Sequence, residues 1–163
     1  MAHNELLVDV LRGNVGFLKM HLSDMTDAEL IQRPVPAANN GLWQLGQFTA
    51  AEAQMVNACA GRTISELPAG FVERYTRETA SSNDPAKLGN KADLVATFEK
   101  VRENTCKWVA TLSAEDMAKP APEKLRRMCA TVGHVVYLLP GHVFMHVGQI
   151  QVLRRKLGKP ILF

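Results

Sequence analysis

The 163-residue sequence predicts an all-α fold, a four-helix bundle with a long crossover between its second and third helices. Three observations predict it. Four stretches repeat apolar residues at alternating steps of three and four, the period of a helix with one buried face. No stretch alternates apolar and polar residues as a half-buried strand would. About thirty residues separate the second helix from the third, too many for a hairpin loop and enough to travel the length of a bundle.

The first helix should cover residues 4–23. Leu6, Leu7, Val10, Leu11, Phe17, Leu18 and Leu22 recur at helical spacing, and Asn14 and His21 fall on the same stripe. Gly13 and Gly16 each lower helix propensity by up to about 1 kcal/mol relative to alanine, which marks a close approach by a neighbour. His21 reads as a boundary histidine with a partly packed ring. Residues 25–40 form a connector. In it Thr26-Asp27-Ala28-Glu29 caps one short turn, and Pro34 and Pro36 stop anything longer.

The second helix should run over residues 42–60, introduced by Asn39-Asn40-Gly41 and closed by Gly61. Its inward face takes in Trp43, Gly46 or Gln47, Ala50 and Gln54, with Leu42, Leu45 and Val56 beside them. Trp43, at the start of an apolar stripe, reads as a core anchor. Within the crossover a short helix near residues 71–76 would set Phe71 and Tyr75 together against the body. The third helix is capped by Asn90, carries Asp93 in its first turn, and repeats Leu94, Phe98, Val101, Thr105, Trp108 and Leu112 along one seam. The fourth covers residues 131–157, with Gly158 and Pro160 ending it. Val136, Leu139, Val143, His146, Ile150, Leu153 and Leu157 form its seam. Pro140 removes one backbone donor and predicts a kink just before two histidines.

The length fits a single domain over residues 1–163. Hydrophobic residues make up 47% and charged residues 21%, the balance of a soluble globular protein. The net charge is +3 and only Arg154-Arg155-Lys156 cluster, too little for a nucleic-acid footprint. No apolar run reaches the roughly 20 residues of a membrane span. The N-terminus lacks the basic-then-apolar pattern of a signal peptide. Cys59, Cys106 and Cys129 are widely spaced, which fits reduced thiols in a cytoplasmic protein.

His142 and His146 carry the chemistry. Four residues apart on a helix, their side chains lie on one face about one turn from each other, a common way to offer two nitrogens to one transition metal. The competing reading is a pair of satisfied core histidines, hydrogen-bonded to Gln47, Asn14 or Trp43. A polar cleft formed by His142, His146, Gln47 and Asn14 would also suit a small molecule without a metal.

Two motifs bring in a resemblance. Asn40-Gly41-Leu42-Trp43-Gln44-Leu45-Gly46 opens the second helix, and His142-x-x-x-His146-x-Gly148-Gln149-Ile150-x-x-Leu153-Arg154-x-x-Leu157-Gly158-Lys159-Pro160 ends the chain. Together with Leu112-Ser113-Ala114-Glu115-Asp116 through Pro120 and Pro122, they resemble the DinB/YfiT-like superfamily. The resemblance implies a four-helix bundle, often a homodimer, holding zinc or nickel with three histidines. Some such proteins are transferases or isomerases that use a low-molecular-weight thiol. The last two ligands carry over onto His142 and His146. The first falls on Gln47, an amide where the family has imidazole. A glutamine carbonyl is a poorer, oxygen-type ligand for zinc or nickel, so the site reads as incomplete or altered.

Other residues are poor substitutes for the missing histidine. His134 lies about 12 Å before His142 along a straight helix. Glu52 points about 140° away from Gln47 and reads as a surface or capping residue. His21 would serve only if the first helix faced the pocket at that level. Two functions follow. One is a metal-binding protein with His142, His146 and Gln47 as ligands and Trp43 and Asn14 lining the pocket, acting on a small molecule by metal-assisted transfer or hydrolysis. The other is a metal-free bundle that binds small molecules or protein partners.

Overall fold

Each of three long helices starts on a side chain that answers its free amides. In a computed structural model describing residues 3–162, Asn40 accepts from the Trp43 amide at 2.8 Å, Asn90 from Asp93 at 2.9 Å, and Thr131 from His134 at 3.3 Å. The elements are α1 (His3–Leu22), α2 (Asp27–Leu30), α3 (Gly41–Ala60), α4 (Phe71–Arg74), α5 (Pro85–Leu88), α6 (Lys91–Ala110), α7 (Ala114–Ala118), a 3-10 turn at Glu123–Leu125, and α8 (Val132–Lys156). Thr26 and Glu29 form the expected capping box on α2. Gly61 closes α3 with a φ of 65°, a left-handed backbone that glycine adopts without a Cβ clash.

The bundle is built from α1, α3, α6 and α8. α1 and α3 each pack against both α6 and α8. Chain directions follow from paired residues. Asn14, Phe17 and His21 meet Pro140, Phe144 and Arg154 in that order, so α1 and α8 are parallel. Phe48 and Glu52 meet Phe98 and Arg102, so α3 and α6 are parallel too. Parallel neighbours cannot be joined by a tight turn. The crossover between α3 and α6 must therefore return the full length of the bundle, which accounts for the long connection in the sequence.

That crossover also covers α3. The Trp43 indole N–H donates to the Thr76 carbonyl at 3.2 Å, and Tyr75 donates to the Leu88 carbonyl at 2.7 Å. Phe71 and Tyr75 are both buried, as their spacing predicted. A Cβ on Gly46 would lie 2.3 Å from the Tyr75 ring. Gly46→Ala should therefore destabilise the fold by about 1–3 kcal/mol, outweighing the roughly 1 kcal/mol of helix propensity gained. Urea unfolding measures this; an unchanged midpoint would show that the ring can retreat.

The core has two apolar halves. One gathers Trp43, Phe48, Tyr75, Phe98, Val143 and Val147, the other Leu11, Val56, Cys106, Trp108, Val135 and Leu139. Between them lies a polar layer. Arg102, 1% exposed, donates from Nε and Nη2 to the Glu52 carboxylate at 2.9 and 2.7 Å. Its Nη1 donates to the Leu11 carbonyl at 2.9 Å and to Asn14 Oδ1 at 3.0 Å. One guanidinium thus ties α1, α3 and α6 together.

Several expectations change here. Glu52 is a core residue, not a surface or capping one. Arg102 of α6 reaches it, and the crossover and α6 leave α3 little free surface. Gln54 is exposed. Gly13 and Gly16 have no neighbouring atom within 4 Å of a built Cβ, so neither marks a close approach within this chain. α8 is helical on both sides of Pro140.

The connector between α1 and α3 is pinned by side chains. Arg33 donates to the carbonyls of Ala38, Ala80 and Ser82, and Asn40 Nδ2 donates to the Ser82 carbonyl. No helix among the described residues is long and apolar enough to cross a membrane.

Candidate metal centre

The site lies on the seam where α3 meets α8. His142 and His146 are one turn apart on α8, with ring centroids 4.8 Å apart. His146 belongs to the buried seam and is 4% exposed; His142 is half-buried. Within residues 41–50 of α3 only Gln47 is not buried. The cluster therefore has a buried floor, His146 beside the Phe48 ring, and a partly open side at His142 and Gln47.

Hydrogen bonds fix the proton positions. Gln44 donates through Nε2 to the Asn39 carbonyl at 2.9 Å. Its Oε1 then faces His146 Nδ1 at 3.1 Å. An amide oxygen can only accept, so Nδ1 carries the proton. The lone pair of neutral His146 is left on Nε2. That atom lies 3.0 Å from Gln47 Oε1 and 3.1 Å from His142 Nε2.

Burial pushes the His146 pKa down to about 3, with the His142 ring adding to the effect. Burial also lowers His142, partly opposed by the negative charge of Glu52. Both rings are neutral at neutral pH, the state a metal requires. A lone pair facing a carbonyl oxygen and a second ring nitrogen is unfavourable without a positive centre. Two arrangements relieve it: a cation, or a proton supplied by His142 Nε2–H or by a Gln47 amide turned to present its NH2.

The donor set fits a borderline divalent ion. Two imidazole nitrogens suit zinc or nickel, and the Gln47 carbonyl supplies a weaker oxygen donor. Among the described residues no three His, Cys, Asp or Glu side chains gather as a metal-ligating group; the side chain that joins the histidine pair is the Gln47 amide, 3.0 Å from His146 Nε2. Gln44 is the outer partner that sets the tautomer and ring orientation. Gln44→Ala should weaken metal affinity by about 10- to 100-fold. Isothermal titration with zinc checks this, and unchanged affinity would remove Gln44 from the site.

Other residues weighed as ligands are engaged elsewhere. His21 Nδ1 lies 2.9 Å from the Phe17 carbonyl, and His134 is exposed in the first turn of α8. The indole N–H of Trp43 faces the crossover, and Asn14 is held by Arg102, so the hydrogen bonds of both lead away from His146. Burial raises the Cys59 and Cys106 thiols to about 11, which keeps them protonated and poor as ligands or nucleophiles. Gln44 was not singled out from sequence. Its spacing offered a signal: it sits three residues before Gln47 on the same helical face.

Two histidines and two glutamines meeting on one interhelical seam define a helical bundle, with parallel α1–α8 and α3–α6 pairs, that carries a polar cluster between α3 and α8. The chain belongs to the DinB superfamily, whose family model matches residues 17–150. Among solved structures it is similar to a conserved protein from Enterococcus faecalis, with a TM-score of 0.75 and 16% identity over 98% of this chain and 99% of that one. It is also similar to YfiT from Bacillus subtilis, with a TM-score of 0.67 and 15% identity over 98% of this chain and 91% of that one. YfiT is described as a probable metal-dependent hydrolase with an unusual four-helix bundle topology. At these identities the likeness is one of fold. No curated protein matches the chain significantly.

Proposed function

We propose that this DinB-superfamily protein binds a divalent metal, zinc or nickel, at His142, His146 and Gln47, and acts on a small molecule by metal-assisted transfer or hydrolysis. The observation that carries the reading is the meeting of three lone-pair atoms at His146 Nε2, with the Nδ1 proton committed to Gln44. The description of YfiT as a probable metal-dependent hydrolase supports it.

When bound, such an ion would polarise a substrate carbonyl or lower the pKa of a water. The chain's own residues do the rest. Gln44 holds the ring of His146 and its tautomer. Phe48 shields one side of that ring from water. The half-buried flank at His142 and Gln47 is where a substrate or a thiol cosubstrate would approach. With an amide oxygen as third donor, His142, His146 and Gln47 would hold such an ion less tightly than three imidazoles would.

Protein purified without a histidine tag should contain about one equivalent of zinc or nickel by elemental analysis. His146→Ala should reduce this to background with the fold intact by circular dichroism. Metal-free wild-type protein, with a melting temperature indifferent to both added zinc and chelator, would overturn the reading. It would favour the metal-free binding module, in which a His142 or Gln47 N–H occupies the centre.

A further inference from the structure

The two helices that enclose the histidine cluster are almost without charge. From Val132 to Leu153, α8 has no Asp, Glu, Lys or Arg. Over its whole length, Gly41–Ala60, α3 has only Glu52. That residue is 2% exposed and its carboxylate is taken up by Arg102. The α1–α6 seam is of another kind, with Lys19 2.7 Å from Glu99 and Arg12 3.8 Å from Glu103. On the His142 side of α8 the first charged side chain is Lys156, roughly 21 Å along the helix. Its ammonium donates to the Arg33 carbonyl at 2.7 Å.

This uncharged flank has a definite pattern. Polar atoms gather at one point, where the half-buried His142 and Gln47 meet beside His146. Apolar side chains lie on both sides of it. Leu138 is one turn before His142 on α8 and Met145 just under one turn after, so all three share a strip. Met145 is 52% exposed. Leu138 and Ala51 are partly buried and pack against the same half of the core.

Proteins meet a carboxylate or phosphate with Arg or Lys, whose charge offsets the water that the anion loses. Neither residue stands on this flank, so a charged group on the body of a ligand would be desolvated without compensation. A neutral carbonyl or amide, by contrast, finds hydrogen-bonding partners at His142 and Gln47, and a hydrocarbon chain finds Met145 and Leu138. We propose that the α3–α8 flank takes an uncharged amphipathic small molecule, its carbonyl or amide end at His142 and Gln47 and its hydrocarbon part on Met145 and Leu138. The inference rests on the reading of the histidine cluster as the functional site, and it narrows that reading to a substrate class. Met145 becomes the specificity-determining residue, because it is the exposed apolar side chain nearest the polar point.

Two probes test this, hexanamide and adipamic acid. They share a six-carbon chain with an amide at one end, and the second carries a carboxylate at the other. Each is titrated near neutral pH into the full chain with isotope-labelled methionine methyl groups, followed by NMR. Hexanamide is expected to shift the Met145 methyl and the His142 ring signals, and adipamate to bind about tenfold more weakly or worse. Met145→Lys, at an exposed position, should keep the fold by circular dichroism and close most of that gap, because it removes an apolar contact and adds a partner for the carboxylate. Equal binding of the two probes by the wild type overturns the proposal. So does a wild type that responds to neither, or a Met145→Lys variant with an unchanged preference. Hexanamide that shifts Met20, in the apolar groove between α1 and α6, and leaves Met145 unmoved also overturns it and assigns the ligand to that groove. Zinc and nickel content is measured on the same sample. Selective hexanamide binding without metal keeps this inference and discards the metal reading; a metal-loaded protein indifferent to the far carboxylate does the reverse.

Discussion

Gln47→His is expected to tighten zinc or nickel binding by at least about tenfold, the lower bound of what even an outer partner of a ligand is worth. The amide oxygen of Gln47 already lies 3.0 Å from His146 Nε2, and an imidazole Nε2 reaches about as far from its Cα. The substitution replaces an oxygen donor with a neutral nitrogen better matched to these ions. Competition against a chromophoric chelator measures it. An affinity equal to wild type would mean that position 47 does not contribute a ligand, however near it lies. A large gain would show that the backbone retains a three-histidine geometry and that the native glutamine limits the strength of binding.

Glu52→Ala is expected to cost about 3–5 kcal/mol, because it leaves the Arg102 guanidinium charged and unpaired in the core. For a chain of this length that lowers the melting temperature by on the order of 10 °C. Removing both charges is a different matter. Glu52→Leu combined with Arg102→Met should recover most of the loss, since a packed apolar pair avoids the desolvation penalty of both ions. Thermal melts of the two single variants and the double variant form the cycle. Additive losses would show that the two residues act independently, contrary to their contacts at 2.7–3.2 Å.

The same pair shows where the sequence stopped being legible. The four long helices, their caps and the crossover could be read because apolar periodicity and Asn, Thr and Gly at helix ends are local signals. Helix limits agree to within a few residues, and Phe71 and Tyr75 face inward as their spacing required. Glu52 and Arg102 broke the pattern. A charged residue on an amphipathic helix defaults to the surface, and nothing local reveals a partner 50 positions away. Arg102 follows Phe98 by four, a spacing that places it inward, but it was not singled out from sequence.

At the site, the sequence supplied the histidine pair and the family resemblance pointed to Gln47. Gln44 remained hidden because its role depends on a contact 102 positions distant. Gly13 and Gly16 were misread for a related reason. Glycine lowers helix propensity whether or not a neighbour approaches it, and nothing lies within 4 Å of a Cβ built on either one.

The pinned connector bears on when the site is lost. Arg33 and Asn40 clasp the crossover carbonyls, Asn39 holds Gln44, and Gln44 sets the proton of His146. The tautomer thus hangs on the connector between α1 and α3, whereas the helices hang from the core. Local opening begins in segments with few buried contacts. On warming, the rings should lose their order while the bundle is still folded, so the upper temperature limit of function would be set by a loop rather than by the melting of the helices.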